Sequence, residues 1–157
     1  MLTVIGCGNS NRSDDGVGVF VAQQLVRDAG ERPRPEVRVL DAGTNGIEVM
    51  FQARGCDELV IVDACRSGSE PGTVFEVPGE ELESNYTPAY SLHDFRWDHA
   101  LAAGRKIFAG EFPRRVVVYL IEAQELGLGL SLSEPVRASA EQVIDKIRRI
   151  IHEYRPN

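Results

Sequence analysis

The run Leu59-Val60-Ile61-Val62 restricts the possible folds of this chain more than any other stretch. It is apolar without alternation, the pattern of a strand covered on both faces. Parallel sheets flanked by helices on both sides bury their central strands in this way. Asp63 follows the run directly. An ionised carboxylate at the end of a buried strand costs several kcal/mol unless it is paired. Asp63 therefore reads either as a structural hydrogen-bond acceptor or as a ligand for something bound.

The segments around this run alternate between strand-like and helix-like, the mark of a layered α/β arrangement. Strands are predicted at 2–5, 37–40, 59–62 and 116–121. A shorter alternating strand at 73–77, after a Gly-Pro-containing turn, suits an edge or antiparallel position. The first helix, of about fifteen residues, carries Val17, Phe20, Val21 and Leu25 at helical spacing. A short helix is expected at 47–54 and another at 94–107. The last helix is expected from Ser133, with Pro135 in its first turn and Val136, Ala140, Val143, Ile144, Ile147 and Ile151 along one face. Residues 78–92 are polar and aperiodic, so they are expected to form a functional loop. The expected fold class is α/β: an open, twisted, mostly parallel but mixed sheet of five strands with helices on both faces, forming one domain over residues 1–157.

The composition agrees with a soluble globule, at 43% hydrophobic and 26% charged residues. A formal net charge of −7 argues against a nucleic-acid phosphate surface as the main partner. The pairs Arg114-Arg115 and Arg148-Arg149 read as parts of a mixed solvated surface. The beginning of the sequence shows no secretory signal pattern, and no stretch approaches a membrane span. The three cysteines, Cys7, Cys56 and Cys65, match no zinc spacing and are expected to be reduced thiols of a cytoplasmic protein.

In an open α/β sheet, ligands collect beyond the carboxyl ends of the strands, where the strand order reverses. Three ionisable positions fall there: Asp15 after the first strand's loop, Asp63, and His93 after the polar loop. If the first and third strands are neighbours, the two acids approach each other, and the loop before His93 could bring an imidazole over both. Two carboxylates and an imidazole make a facial ligand set with open positions, able to polarise a carbonyl or activate a water. Structural alternatives stand beside each. Asp14-Asp15 could occupy a first helical turn capped by Ser13, where acids favour the helix dipole. His93 could simply start a helix. His99 lies on a different helix face from His93, and His152 reads as a cation near a helix C-terminus. The glycine loop Gly6-Cys7-Gly8-Asn9 hints at dinucleotide binding, but the third glycine would fall at Asn11 and no Lys completes a phosphate loop.

Taken in order, these residues resemble the nickel–iron hydrogenase maturation endopeptidases. Gly6-Cys7-Gly8-Asn9, four residues, then Asp14-Asp15-Gly16-Val17-Gly18 is similar to that family's opening signature. Asp41-Ala42-Gly43-Thr44, Val62-Asp63-Ala64, Ser91-Leu92-His93 and Leu130-Ser131-Leu132-Ser133-Glu134-Pro135-Val136 resemble its later segments. The resemblance implies a twisted mixed sheet with flanking helices. It also implies an enzyme that removes a short C-terminal peptide from a hydrogenase large-subunit precursor once nickel is inserted. By position, Asp15, Asp63 and His93 match the family's metal-contacting residues, and Asp41 is a second candidate for positioning substrate or assisting proton transfer. The nickel is expected to be supplied by the substrate, with other divalent cations as surrogates. The segment Tyr119-Leu120-Ile121-Glu122-Ala123-Gln124 follows the family only loosely, which leaves open which large subunit is served. A non-catalytic, metal-sensing chaperone of the immature subunit is the alternative reading of the same residues.

Overall fold

A computed structural model describes residues 1–84 and 96–156. Five strands, β1 (Leu2–Cys7), β2 (Val37–Gly43), β3 (Glu58–Cys65), β4 (Val74–Pro78) and β5 (Arg115–Glu122), form one sheet in the order β2-β1-β3-β5-β4. All neighbours are parallel except β4, which runs antiparallel to β5 along one edge. The expected mixed five-stranded sheet, with β1 beside β3, is therefore present.

The apolar run in β3 shows why the strand reads as it does. Leu59 and Ile61 belong to a core shared with α2 (Gly46–Ala53) and α4 (Trp97–Phe108). Val60 and Val62 point the other way, into a core shared with α1 (Val17–Glu31) and α5 (Glu134–Glu153). Side chains alternate across a strand, so a strand covered on both faces has no polar phase. The same alternation sends Asp63 to the α2/α4 side, and β3 carries it there because the strand continues to Cys65 while β5 pairs with it as far as Glu122. Asp63 thus lies within the strand rather than after it.

Close approach of α1 to the sheet depends on Gly18. A Cβ there would stand 2.2 Å from the Val62 carbonyl oxygen and 2.3 Å from that of Cys7. No side chain fits, so the helix descends directly onto the carboxyl ends of β1 and β3.

Several boundaries differ from the sequence reading. Asp14 and Asp15 lie in a 3₁₀ turn, Ser13–Gly16, ahead of α1 rather than in its first turn. Ser13 does not cap that helix; its hydroxyl donates to the Gly127 carbonyl at 2.9 Å, and its φ is +51°. Within the expected 78–92 loop, Gly79–Ser84 forms a short helix, α3. The helix expected from residue 94 is described from Trp97. The last helix begins at Glu134, with Ser133 as its N-cap position and Pro135 in the first turn.

Candidate active site

The chain order moves from β1 outward to β2 and then back across to β3, so the strand order reverses between β1 and β3. A cavity of about 170 Å³ opens at that point. Its wall is formed by Cys7 at the end of β1 and Gly8 after it, Asp15 from the 3₁₀ turn, Asp63 from β3, Thr44 and Asn45 beyond β2, and Arg96 and Trp97 at the start of α4. Asp15 and Asp63, 48 positions apart in the sequence, therefore share one cleft.

Gly8 holds the two acids in this relation. Its φ is +123°, and a Cβ at this position would stand 1.8 Å from the Asp15 carbonyl oxygen and 3.4 Å from Asp63 Oδ1. Only glycine lets the backbone pass between them. The Asp15 carboxylate accepts from the Asn9 amide at 3.1 Å, which fixes its rotamer from the same loop.

Asp63 is 4% exposed. Its Oδ1 accepts from the Ala64 amide at 2.8 Å, and its Oδ2 accepts from the Trp97 indole Nε1 at 2.6 Å. The Arg96 guanidinium lies 3.6 Å from Oδ2 but is itself 64% exposed. Burial dominates the balance and pushes the carboxyl up from 3.8 to about 6, although the bonds from Trp97 and Ala64 and the Arg96 charge pull the other way. The nearby Asp15 charge adds to the rise. Two acids whose charges oppose each other in a partly closed cleft favour a cation between them.

Asp14 has a different task from its neighbour. It is fully buried and accepts four hydrogen bonds: from the amides of Gln124 (2.9 Å), Glu125 (2.8 Å) and Ser133 (2.7 Å), and from the Ser133 hydroxyl (2.8 Å). It ties the turn that carries Asp15 to the segment between β5 and α5. The sequence pair Asp14-Asp15 thus divides into a fastening residue and a cleft residue.

Asp41 is exposed near the end of β2 and does not line this cavity. Its Oδ1 accepts from the Gly43 amide at 2.8 Å, and the side chain borders a neighbouring depression with Asn9, Ser10 and Val19. His93 lies outside the described residues. Among the described residues, no three His, Cys, Asp or Glu side chains gather as a metal-binding group.

Arg96 and Trp97 were not singled out by sequence reasoning. The available signal was the position of the only tryptophan, four residues beyond His93. Cys7 also lines the cleft, but burial, followed by the Asp63 and Asp41 charges, pushes its thiol well above the ordinary range. It is a poor nucleophile in this setting. Asn45 caps α2, its side chain accepting from the Glu48 amide at 3.1 Å, so the helix presents its N-terminus to the cleft.

The sheet order and the switch-point cleft with its paired acids define a small single-sheet α/β protein whose candidate site lies at the carboxyl ends of β1 and β3. Residues 19–150 match the family model described as hydrogenase maturation protease. The Hydrogenase 2 maturation protease of Escherichia coli is 29% identical over 154 residues, covering 97% of this chain and 91% of that protein. The hydrogenase expression/formation protein HoxM of Azotobacter vinelandii is 33% identical over 147 residues, covering 91% and 68%. Among solved structures, the E. coli hydrogenase maturating endopeptidase HybD superposes with a TM-score of 0.78 at 26% identity, covering 97% of this chain and 92% of that one. The Thermococcus kodakarensis maturation protease HycI shares the fold, with a TM-score of 0.74 at 22% identity. The chain belongs to the hydrogenase maturation protease family and is a peptide hydrolase.

Proposed function

We propose that this enzyme removes the C-terminal extension of a nickel-loaded [NiFe]-hydrogenase large-subunit precursor. The observation that carries the reading is the shared cleft of Asp15 and Asp63 at the switch point of a maturation-protease fold. In this reading the nickel arrives with the precursor as part of the substrate. Asp15 and Asp63 offer carboxylate oxygens to it, and His93 supplies an imidazole from outside the described residues. Each Asp63 oxygen accepts one hydrogen bond from the protein and keeps a second acceptor position. Trp97 and Ala64 therefore orient the carboxylate without exhausting it. Binding at the cleft selects precursors that already carry metal, and hydrolysis adds water across the scissile C–N bond. Asp41 acts at one remove, through the turn it closes onto Gly43.

Several features are consistent with work in the cytoplasm. Cys7, Cys56 and Cys65 are free thiols, and among the described residues no helix is long and apolar enough to cross a membrane.

The test is incubation with nickel-loaded precursor, read by mass. The wild type should shorten the subunit. Asp15→Asn, Asp63→Asn and His93→Ala should each stop processing with unchanged far-UV circular dichroism. Wild-type binding without any mass change would favour the chaperone reading. Full activity of His93→Ala would remove that residue from the site.

A further inference from the structure

We infer that the open edge of β2 is the docking strand for the substrate's extended segment beside the scissile bond. The inference rests on the processing reading above and specifies how the precursor is held. Among the described residues, β2 has a strand neighbour on one side only. The Leu2 amide donates to the Glu36 carbonyl at 3.0 Å, which fixes the phase of the ladder. In a parallel pair, backbone groups of alternate residues face the partner strand. Arg38 and Leu40 therefore turn their N–H and C=O toward β1, while Val39 and Asp41 turn theirs outward. Among the described residues, no backbone group pairs with the outward side of Val39 or Asp41.

An unpaired edge is ordinarily guarded by proline, charge or a covering segment. β4, at the far edge of the sheet, has Glu76 and ends at Pro78. β2 has no proline, and its two charged side chains are occupied elsewhere. The Arg38 guanidinium turns back to the Gln52 carbonyl and the Thr3 hydroxyl, and Asp41 bonds the Gly43 amide. Among the described residues, the edge is thus left without a pairing segment.

Its upper end leads into the cleft. Gly43, the last residue of β2, and Thr44 after it form part of the cleft wall together with Asp15 and Asp63. A protease substrate is extended at the bond it presents, and an extended chain has the donors and acceptors that such an edge lacks. At about 3.3 Å per residue, the five steps from Thr44 back to Val39 span at most about 17 Å. A segment of about five residues next to the scissile bond would then pair with Asp41 and Val39 while the bond itself sits at the acids. The affinity comes from main-chain groups, so the edge accepts varied side chains, and selectivity is left to the metal site.

The experiment is pulsed hydrogen exchange at residue resolution, on the wild-type enzyme alone and under saturating nickel-loaded precursor before turnover is complete. The expected result is a slowing of about tenfold or more at the Val39 and Asp41 amides, with Arg38 and Leu40 already slow in the free enzyme. Processing that proceeds while Val39 and Asp41 exchange unchanged overturns the docking strand and leaves the processing reading in place. Equal slowing at all four amides, without the two-residue period, also overturns it. A precursor that is neither bound nor shortened removes the processing reading, and the docking strand with it.

Discussion

Replacing Asp63 with asparagine should make the stability difference from wild type depend on pH in one direction only. In the folded enzyme the carboxyl is held at about 6, against 3.8 in an unfolded chain. The folded state therefore binds that proton more tightly. The stability it confers is complete below pH 3.8 and is lost as pH rises through about 6. The full amplitude is about 3 kcal/mol, at about 1.4 kcal/mol per pH unit, and about 1.4 kcal/mol of it falls between about pH 5 and about pH 7.5. Asparagine carries no charge at any pH but has one oxygen for two donors, the Ala64 amide and the Trp97 indole. That mismatch costs about 1–3 kcal/mol at every pH. Asp63→Asn should thus be the less stable protein at about pH 5 and gain about 1.4 kcal/mol on wild type by about pH 7.5. Urea unfolding of both proteins across that range, without added metal, measures the difference. A gap that stays constant, or a wild type that gains as pH rises, would refute the assignment of burial as the dominant cause.

Asp14→Ala should cost about 3–5 kcal/mol in urea unfolding, because four donors lose a buried charged acceptor. Asp15→Asn should cost less than about 1 kcal/mol while still stopping processing, and equal losses for the two would contradict the division of labour between them. Gly8→Ala should destabilise by about 3 kcal/mol or more, since its Cβ meets the Asp15 carbonyl and its backbone sits at φ +123°; a neutral effect in thermal unfolding would refute the need for glycine between the two acids. Trp97→Phe keeps the ring and removes the N–H from Asp63, so processing should fall about tenfold with modest loss of stability, and the carboxyl should titrate still higher. Because Trp97 is the only tryptophan, its fluorescence in the wild type should change when nickel is added, and a silent titration would separate the indole from the metal site. Burial and Glu122 push the Cys65 thiol up to about 12, and Cys7 is raised as well, so iodoacetamide at pH 8 should leave processing intact.

The sheet was legible because burial leaves a direct trace in the residues. Leu59 to Val62 could not alternate if both faces were covered, and Gly-Ser-Glu-Pro-Gly before β4 marked a turn to an edge strand. The placement of Asp15 near Asp63 followed from strand order alone. Other features depended on distant pairing that no local pattern carries. Asp14 and Asp15 are chemically identical neighbours, distinguished by their partners: Gln124, Glu125 and Ser133 for Asp14, the Asn9 amide for Asp15. β3 extends through Asp63 because β5 continues alongside it, which the run itself does not reveal. The bond from the Trp97 indole to Asp63 joins residues 34 positions apart, and no local pattern announces it. The short helix at Gly79–Ser84 was hidden by a polar sequence of low periodicity. His93, on which the sequence argument leaned, lies outside the described residues.

The fastening of Asp14 to the segment after β5 has a bearing on how this enzyme comes into being. The donors that seat the Asp15 turn lie 110 or more positions further along the chain. A fragment that ends before Gln124 lacks these donors, so the turn that carries Asp15 is fastened to the rest of the fold only once the chain reaches Ser133. The seat of Asp15 is therefore among the last parts of the fold to be completed as the chain is made.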